Sequence, residues 1–387
     1  MNADELIPDW AAIGAVILGV TAFAVAQGLT YPLISLVLEQ KGVPASLIGL
    51  NAMGFAVGLA IATLLVGRLT VFIRGDKLII GALVGCSLCL ASFSIFDSVW
   101  IWSVIRVLLG FCASLIFMLS EAWLNSSCPD RLRGRVSGLY GAGMCAGFAA
   151  GPLAIPLFGT QHGFAFASLA VYLALVAFVT AVLGLRTRTK PEPAAAAGAL
   201  FGFIRGAPLL IATVVAFGIS DIAAVSGMPV YFLKTGHSPA FAAVSVTFMA
   251  LPTALAQPFV GLLLDRVSRP FVAIIASFMA AASFLAIPFL PSETAILASF
   301  ALLGAASFAL YTCALTLLGE GYKGSVLVTG SAVFALAYAI GSATGSGVTG
   351  VAMDIFPPSA GPLGVGAILT LFTVVLIFGR HTLVRVK

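Results

Sequence analysis

Residues 10–38 read WAAIGAVILGVTAFAVAQGLTYPLISLVL, an uninterrupted apolar stretch without a charged side chain. About 20 such residues are enough for a helix to cross a bilayer, and similar stretches follow from one end of the chain to the other. The apolar residues are continuous rather than alternating, which favours helices over the strands of a membrane barrel. The sequence therefore predicts an all-α integral membrane protein.

The composition of the 387-residue chain supports this prediction, because 61% of its residues are hydrophobic and 9% are charged. A soluble domain carries about 25% charged residues, so a soluble protein of this composition would lack polar surface. The net charge of +5 does not indicate a nucleic-acid partner, since the charges lie in short loops without a basic, aromatic-rich patch. We expect the lipid bilayer as a partner and no nucleic acid.

Charged residues and breaks marked by Pro or Gly divide the chain into twelve apolar stretches. The predicted spans are residues 10–38, 45–67, 77–96, 99–124, 135–158, 162–185, 207–234, 239–264, 270–290, 293–318, 325–353 and 360–380. The longest polar break, residues 186–206, is interpreted as a cytoplasmic linker. It separates an N-terminal six-helix bundle, residues 1–185, from a C-terminal six-helix bundle, residues 207–387.

The distribution of Lys and Arg predicts the orientation of the chain. Sixteen of these side chains lie on one side of the predicted spans, Lys41 and Lys234 lie on the other, and Arg106 lies within a span. Basic residues concentrate in the cytoplasmic loops of membrane proteins. We therefore expect a multi-pass protein of the cytoplasmic (inner) membrane with both termini in the cytoplasm.

The two halves of the chain match at several positions. Gly67 and Gly261 lie near the ends of the second and eighth spans, and Arg133 before the fifth span matches Lys323 before the eleventh, at offsets of 194 and 190 residues. These matches indicate two pseudo-symmetric bundles. Duplicated halves of this kind place a binding site near the membrane midplane, between them.

Three charged residues fall inside predicted spans: Arg106, Glu121 and Asp221. A charge at the bilayer centre costs at least about 2.5–3.5 kcal/mol, so each needs a partner, a water-filled cavity or a function. Arg106 is interpreted as a charge that tunes an acid or meets an anionic substrate, or else as a side chain that extends to the outer interface. Glu121 lies about 22 Å further along the same helix. It is interpreted either as a proton site or as a structural brace.

Asp221 is the preferred proton carrier, because it falls in the middle of the seventh span with no charged residue of that helix close by. An ionised carboxylate is costly there, and a carboxyl group that binds and releases a proton is what proton coupling requires. The alternative is a neutral Asp that makes a helix–helix hydrogen bond. Polar residues proposed to bind substrate are Gln27, Thr30, Tyr31, Tyr231, Gln257, Tyr311 and Tyr338.

The sequence contains neither a cluster of catalytic residues typical of an enzyme nor the phosphate-binding motif of a nucleotide-driven pump. The three His residues lie far apart, at loops or near the C-terminus, and no Gly-Lys-Ser/Thr phosphate loop occurs. Cys86 and Cys89 form a CxxC pair without neighbouring metal ligands, which is interpreted as small-residue packing. We expect no cofactor, no metal, no catalytic site and a monomeric transporter. A membrane enzyme, a channel and a receptor that does not transport are the alternatives.

Short motifs accompany the six-plus-six arrangement of spans. The loop after the eighth span reads GLLLDRVSR over residues 261–269, and its first-half counterpart keeps Gly67 but has Val71 at the position of the Asp. The fourth span contains Arg106-x-x-x-Gly110, and the fifth contains Gly147-x-x-x-Gly151-Pro152. With these motifs, the chain resembles the major facilitator superfamily over essentially its whole length.

The resemblance implies a secondary transporter that works by alternating access. The fifth-span motif is similar to that of proton antiporters, which implies proton-coupled export of a small, partly apolar metabolite or drug; proton-coupled uptake is the alternative. The residues to which it gives a gating role are Gly67, Gly261, Asp265, Arg266, Arg269, Arg133, Arg135, Gly147, Gly151 and Pro152. Residues 120–125 are similar to the YcaD-like branch of the family, which implies no particular substrate.

Overall fold

The computed structural model describes residues 9–128, 130–160, 163–185, 187, 200–322 and 324–384. Over this part of the chain, twelve helices are long and apolar enough to cross a membrane. The predicted all-α membrane fold and the predicted number of spans are therefore confirmed.

These helices are numbered 1 to 12 in chain order, and a short helix, Leu200–Gly206, precedes helix 7. Their bounds are Trp10–Gln40, Ala45–Phe72, Gly75–Ile95, Val99–Ser127, Asp130–Ala150 with its continuation Ala154–Phe158, Phe164–Gly184, Pro208–Lys234, Pro239–Arg266, Arg269–Ala286, Glu293–Gly321, Gly324–Ile355 and Ala360–Val384.

Helices 2 and 8 continue past the predicted limits of their spans, at residues 67 and 264, to Phe72 and Arg266. Both extensions contain an arginine, Arg68 or Arg266, whose side chain is exposed. A long basic side chain can lie along apolar surface and keep its charged end in a polar layer. A charged side chain therefore does not by itself end a helix at these positions.

Large apolar side chains also cover the outer faces of the helices. On helix 6, Leu175 and Phe178 are 61% and 67% exposed, whereas Leu173 on the same helix is fully buried. A helix that is apolar on its protein-facing and its outward-facing sides suits a lipid environment, in which backbone groups must be satisfied within the helix.

The chain divides into two compact units by its internal contacts. The first contains Met1–Thr30 and Val57–Ala196, and the second contains Tyr31–Ala56 and Ala197–Lys387. The segment Tyr31–Ala56 comprises the end of helix 1 and the start of helix 2, and it packs with the second unit. These contact units are not the same division as the predicted bundles, which group whole helices at residues 1–185 and 207–387. The predicted bundles stay a prediction.

The core of each unit is built around large side chains. In the first unit, the indole of Trp102 packs edge-on against Phe93 and Phe166, with ring centroids 5.0 and 5.6 Å apart. In the second unit, Leu310 and Phe334 belong to one cluster of buried apolar residues. The cluster in the second unit includes residues of helices 7 and 11, which carry the candidate site.

Candidate functional site

Helix 7 changes its winding immediately after Asp221. Its α-helical part, Pro208–Ile222, is followed by a π-helical turn, Ala223–Gly227, before the α-helix resumes at Met228. Pro229 has no N–H group to donate to a carbonyl one turn earlier, which loosens the α-helical hydrogen bonding at this point. Single π-helical turns within α-helices occur often at functional sites, and here one adjoins the buried acid.

Asp221 is bonded to Tyr338 on helix 11. The aspartate is 9% exposed, and its Oδ2 accepts a hydrogen bond of 2.8 Å from the Tyr338 hydroxyl. Among the described residues, Tyr338 is the only hydrogen-bond partner of this carboxyl group, and no Lys, Arg or His lies near enough to interact with it. Its charge is therefore not compensated by a described cation, which is an expensive arrangement for a permanently ionised group.

A glycine seam, formed by Gly218, Gly341 and Gly345, brings helix 11 against helix 7. A methyl group at Gly218 would lie 2.6 Å from the carbonyl oxygen of Tyr338. A methyl group at either of the other two glycines would meet the backbone of helix 7. The absence of these side chains lets the two helices approach closely, and the Tyr338 hydroxyl reaches Asp221 as a result.

An aromatic cluster surrounds Phe217, one helical turn before Asp221. The ring of Phe217 stacks on Tyr311 with centroids 4.9 Å apart and contacts Phe308 edge-on at 5.0 Å. Its centroid lies 5.6 Å from that of Tyr338. The structure thus brings together Asp221, Tyr311 and Tyr338, three of the residues proposed from the sequence.

Tyr31 and Gln257 belong to the same unit as this cluster. Tyr31 packs edge-on against Phe55, with centroids 5.3 Å apart, and lies near enough to Tyr338 to interact with its hydroxyl. The side-chain oxygen of Gln257 accepts a hydrogen bond of 2.7 Å from Thr312, the residue after Tyr311. This bond joins helix 8 to helix 10 at the residue that follows Tyr311.

The three remaining residues proposed for substrate binding are Gln27, Thr30 and Tyr231. Gln27 and Thr30 belong to the first contact unit, and the hydroxyl of Thr30 donates to the carbonyl of Ala26 in its own helix at 2.5 Å. Tyr231 lies ten residues after Asp221 on helix 7, which is about 15 Å along the helix. A shared site for these three with Asp221 stays a prediction.

Arg106 and Glu121 occupy different surroundings on helix 4. Arg106 is 1% exposed, so protein covers its side chain, unlike an arginine that extends to the outer interface. Glu121 is exposed and lies near enough to Tyr140 on helix 5 to interact with it. The two residues are fifteen positions apart, which corresponds to about 22 Å along the helix and separates the two charges.

The loop motif after helix 8 joins helices 9 and 10. The guanidinium group of Arg269 forms an ion pair with Glu320, and the thiol of Cys313 donates to the carbonyl oxygen of Arg269 at 3.2 Å. Arg266 is exposed, and a methyl group at Gly261 would meet no atom within 4 Å. The motif therefore ties the start of helix 9 to helix 10.

The remaining motif residues lie in the first unit or outside the described side chains. The carbonyl of Gly67 accepts a hydrogen bond of 3.1 Å from Thr70. Another glycine seam, formed by Gly28, Gly147 and Gly151, packs helix 1 against helix 5. The side chains of three motif residues lie outside the described part: Asp265, Arg133 and Arg135. Pro152 belongs to the 3-10 turn that continues helix 5, Gly151–Leu153.

Cys86 and Cys89 are free thiols, both buried on helix 3. Cys86 interacts with Cys112 on helix 4. Among the described residues, no group of three or more His, Cys, Asp or Glu is placed to hold a metal ion. The contacts of this pair are therefore those of helix packing.

Comparisons with known proteins agree with this architecture. The chain is 25% identical over 346 residues to the uncharacterized MFS-type transporter YfkF of Bacillus subtilis (strain 168), with 85% of each chain covered. Its fold is similar to that of a bacterial homologue of the human lysosomal transporter Spinster, with a TM-score of 0.73, 15% identity and 96% and 95% of the two chains covered. The nucleoside transporter NupG gives a TM-score of 0.73 at 13% identity, with 97% and 100% covered.

These relatives are transporters, in agreement with the expectation of a transporter rather than an enzyme. The finer resemblance to the YcaD-like branch stays a prediction. The family model of the Major Facilitator Superfamily matches residues 16–346, and the chain therefore belongs to this superfamily of membrane transporters.

Proposed function

We propose that this transporter is coupled to protons and exports a small, partly apolar metabolite or drug. The hydrogen bond between Asp221 and Tyr338 is the observation that carries this proposal. It joins a buried acid to a neutral donor at the crossing of helices 7 and 11, beside a π-helical turn. An acid in such surroundings can hold a proton in one state of the protein and release it in another.

The proposed proton exchange uses the two carboxyl oxygens differently. Oδ2 accepts the hydrogen bond from Tyr338, and Oδ1 has no hydrogen-bond partner among the described residues. A proton bound to Oδ1 would neutralise the group and leave the bond to Tyr338 intact. A change in the access of water to this oxygen would then change the protonation of Asp221.

The proposed substrate class follows from the groups around Asp221. Phe217, Phe308, Tyr311 and Tyr338 offer ring surface with few polar groups. Ligand sites of this kind are mostly apolar and carry a small number of polar groups that fix orientation. A partly apolar small molecule fits these surroundings better than one with several ionised groups.

The proposed mechanism is alternating access by two six-helix bundles, residues 1–185 and 207–387, joined by a cytoplasmic linker. Export is the preferred direction because the fifth-span motif Gly147-x-x-x-Gly151-Pro152 is similar to that of proton antiporters. Proton-coupled uptake would use the same acid and is the second candidate. We further propose a monomer in the cytoplasmic membrane with both termini in the cytoplasm, from the distribution of Lys and Arg.

The experiment begins with a thermal-shift screen of the purified protein against metabolites and drugs, because a ligand of the folded state raises its apparent stability. The compound found is then assayed in proteoliposomes with an imposed pH gradient. We expect the parent protein to move it against the proton flow and Asp221→Asn to abolish gradient-driven movement. Unchanged driven transport by Asp221→Asn would remove this acid from the mechanism, and movement with the protons would replace export by uptake.

A further inference from the structure

The N-terminus of helix 2 is capped by a residue from helix 11. Pro44 occupies the position before the helix, where its carbonyl accepts from Leu47 and Ile48 but its side chain has no oxygen for the first N–H groups. The carboxylate of Asp354 supplies these acceptors instead. Its Oδ1 accepts from the N–H of Ala45 at 2.8 Å, and its Oδ2 accepts from the N–H of Ser46 at 2.7 Å.

An ion pair lies beside this cap. The Nζ of Lys234, at the end of helix 7, is 3.3 Å from Oε1 of Glu39, at the end of helix 1. Lys234 also lies near enough to Asp354 to interact with it, as does Glu39. One lysine therefore offsets the repulsion between two acids, at the ends of the helices predicted to face outside.

Small residues line the same contact beyond the charged cluster. A methyl group at Gly49 would meet the carbonyl of Ser346, and one at Gly350 would meet the carbonyl of Ala45. The hydroxyl groups of Ser35 and Ser226 are 2.9 Å apart. When a hydrogen bond of this kind breaks, water replaces the lost partner and the net free-energy cost is modest. Such a contact can therefore open more readily than one built on large apolar side chains.

We infer that Asp354, Lys234 and Glu39 form a latch that holds residues 31–56 against helices 7 and 11 and opens during transport. The inference rests on the alternating access proposed above. In sequence terms, the latch joins the start of the predicted N-terminal bundle to the predicted C-terminal bundle. Its three charged groups meet through a helix end and an ion pair, and water can solvate the groups of both when they separate.

The test measures how fast a buried position near the latch becomes accessible. Ser35 is 2% exposed, and Ser35→Cys introduces a thiol of similar size at this position. The purified protein in lipid nanodiscs is treated with a membrane-impermeant maleimide, and protein without this substitution gives the background from native cysteines. In the Ser35→Cys protein, Asp354→Asn is expected to raise the labelling rate about twofold to fivefold. The amide keeps one acceptor oxygen for the start of helix 2 but loses the second acceptor and the negative charge at the helix end.

A second variant and a control make the result decisive. Lys234→Gln, which opens the latch from helix 7, is expected to raise the rate by a smaller factor. Glu293→Gln removes an exposed acid at the start of helix 10 and is expected to leave the rate unchanged. Equal rates in the Asp354→Asn and Glu293→Gln proteins overturn the inference. If Asp354→Asn does not yield monodisperse protein, the labelling rate of Lys234→Gln is compared with that of Glu293→Gln instead, and equal rates again overturn the inference.

The labelling assay uses neither a substrate nor a pH gradient. A failure of the latch therefore appears as unchanged labelling, whereas a failure of the proposed function appears as unchanged driven transport by Asp221→Asn. Either result can occur without the other. Unchanged labelling means that the contact is static, and unchanged driven transport means that the transporter uses a different proton site.

Discussion

Two glycine seams have the same construction but different chemistry. The first packs helix 1 against helix 5 through Gly28, Gly147 and Gly151, and the second packs helix 7 against helix 11 through Gly218, Gly341 and Gly345. At the second seam, the carboxyl of Asp221 is bonded across the helices to Tyr338. At the first, the hydroxyl of Thr30 bonds to its own helix. Duplication thus repeated the close packing, while the buried acid belongs to one seam.

The largest expected effect comes from breaking either seam. Gly341→Val and Gly147→Val each place a side chain against a backbone carbonyl group of the facing helix, which cannot move away as a flexible side chain can. Overpacking of this kind costs about 1–3 kcal/mol or more. We expect both variants to lower the apparent melting temperature of the purified protein in detergent, to a similar extent.

The control is Gly14→Val on helix 1, where a methyl group meets no atom within 4 Å. We expect this variant to remain close to the parent protein. A melting temperature that falls for Gly341→Val but not for Gly147→Val would mean that the two seams differ in packing as well as in chemistry.

The seams illustrate how far the sequence alone could lead. Continuous apolar stretches predict the spans, because lipid requires helices with satisfied backbone groups. Asp221 is visible for the same reason, as a charge within an apolar stretch. Its bond to Tyr338 joins residues 117 positions apart, and no pattern in one sequence indicates which of several tyrosines faces an acid. The sequence does not predict the π-helical turn, although Pro229 is a local signal of it.

The sequence does not indicate the partners in the proposed latch, for a related reason. Pro44 before helix 2 indicates a helix start without a side-chain cap, but its partner Asp354 lies about 310 residues away. The sequence predicts only that Lys234 lies on the outer side, because its pairing with Glu39 depends on how helices 1 and 7 pack. Local chemistry therefore predicts that a group needs a partner, whereas the fold decides which residue supplies it.

A smaller effect is expected when the bond across the second seam is removed. Tyr338→Phe keeps the ring and deletes the hydroxyl, which leaves the carboxyl of Asp221 without its donor. A buried polar group left unsatisfied costs about 1–3 kcal/mol. We expect a lower melting temperature for Tyr338→Phe and a much smaller change for Thr30→Val at the first seam, because the carbonyl of Ala26 keeps its place in the helical ladder.

The double variant Asp221→Asn/Tyr338→Phe sharpens this prediction. If the two side chains act through one bond, the combined destabilisation will be less than the sum of the two single effects. Additive effects would mean that the residues stabilise the protein independently, and the contrast between the seams would then not lie in this bond.

The smallest expected effect concerns the two copies of the loop that follow helices 2 and 8. In the first copy, Arg74 pairs with Asp76, two residues along the chain, whereas in the second Arg269 pairs with Glu320 on helix 10. Glu320 is half exposed in its side chain, so the pair contributes about 0.2–1 kcal/mol. We expect Glu320→Gln to lower the melting temperature slightly, with a difference that shrinks in high salt because salt screens exposed charges. A cycle with Arg269→Gln isolates the pair, and zero coupling at low salt would show that this ion pair does not hold the second loop. The bond from the Cys313 thiol to the Arg269 carbonyl would then be its link to helix 10.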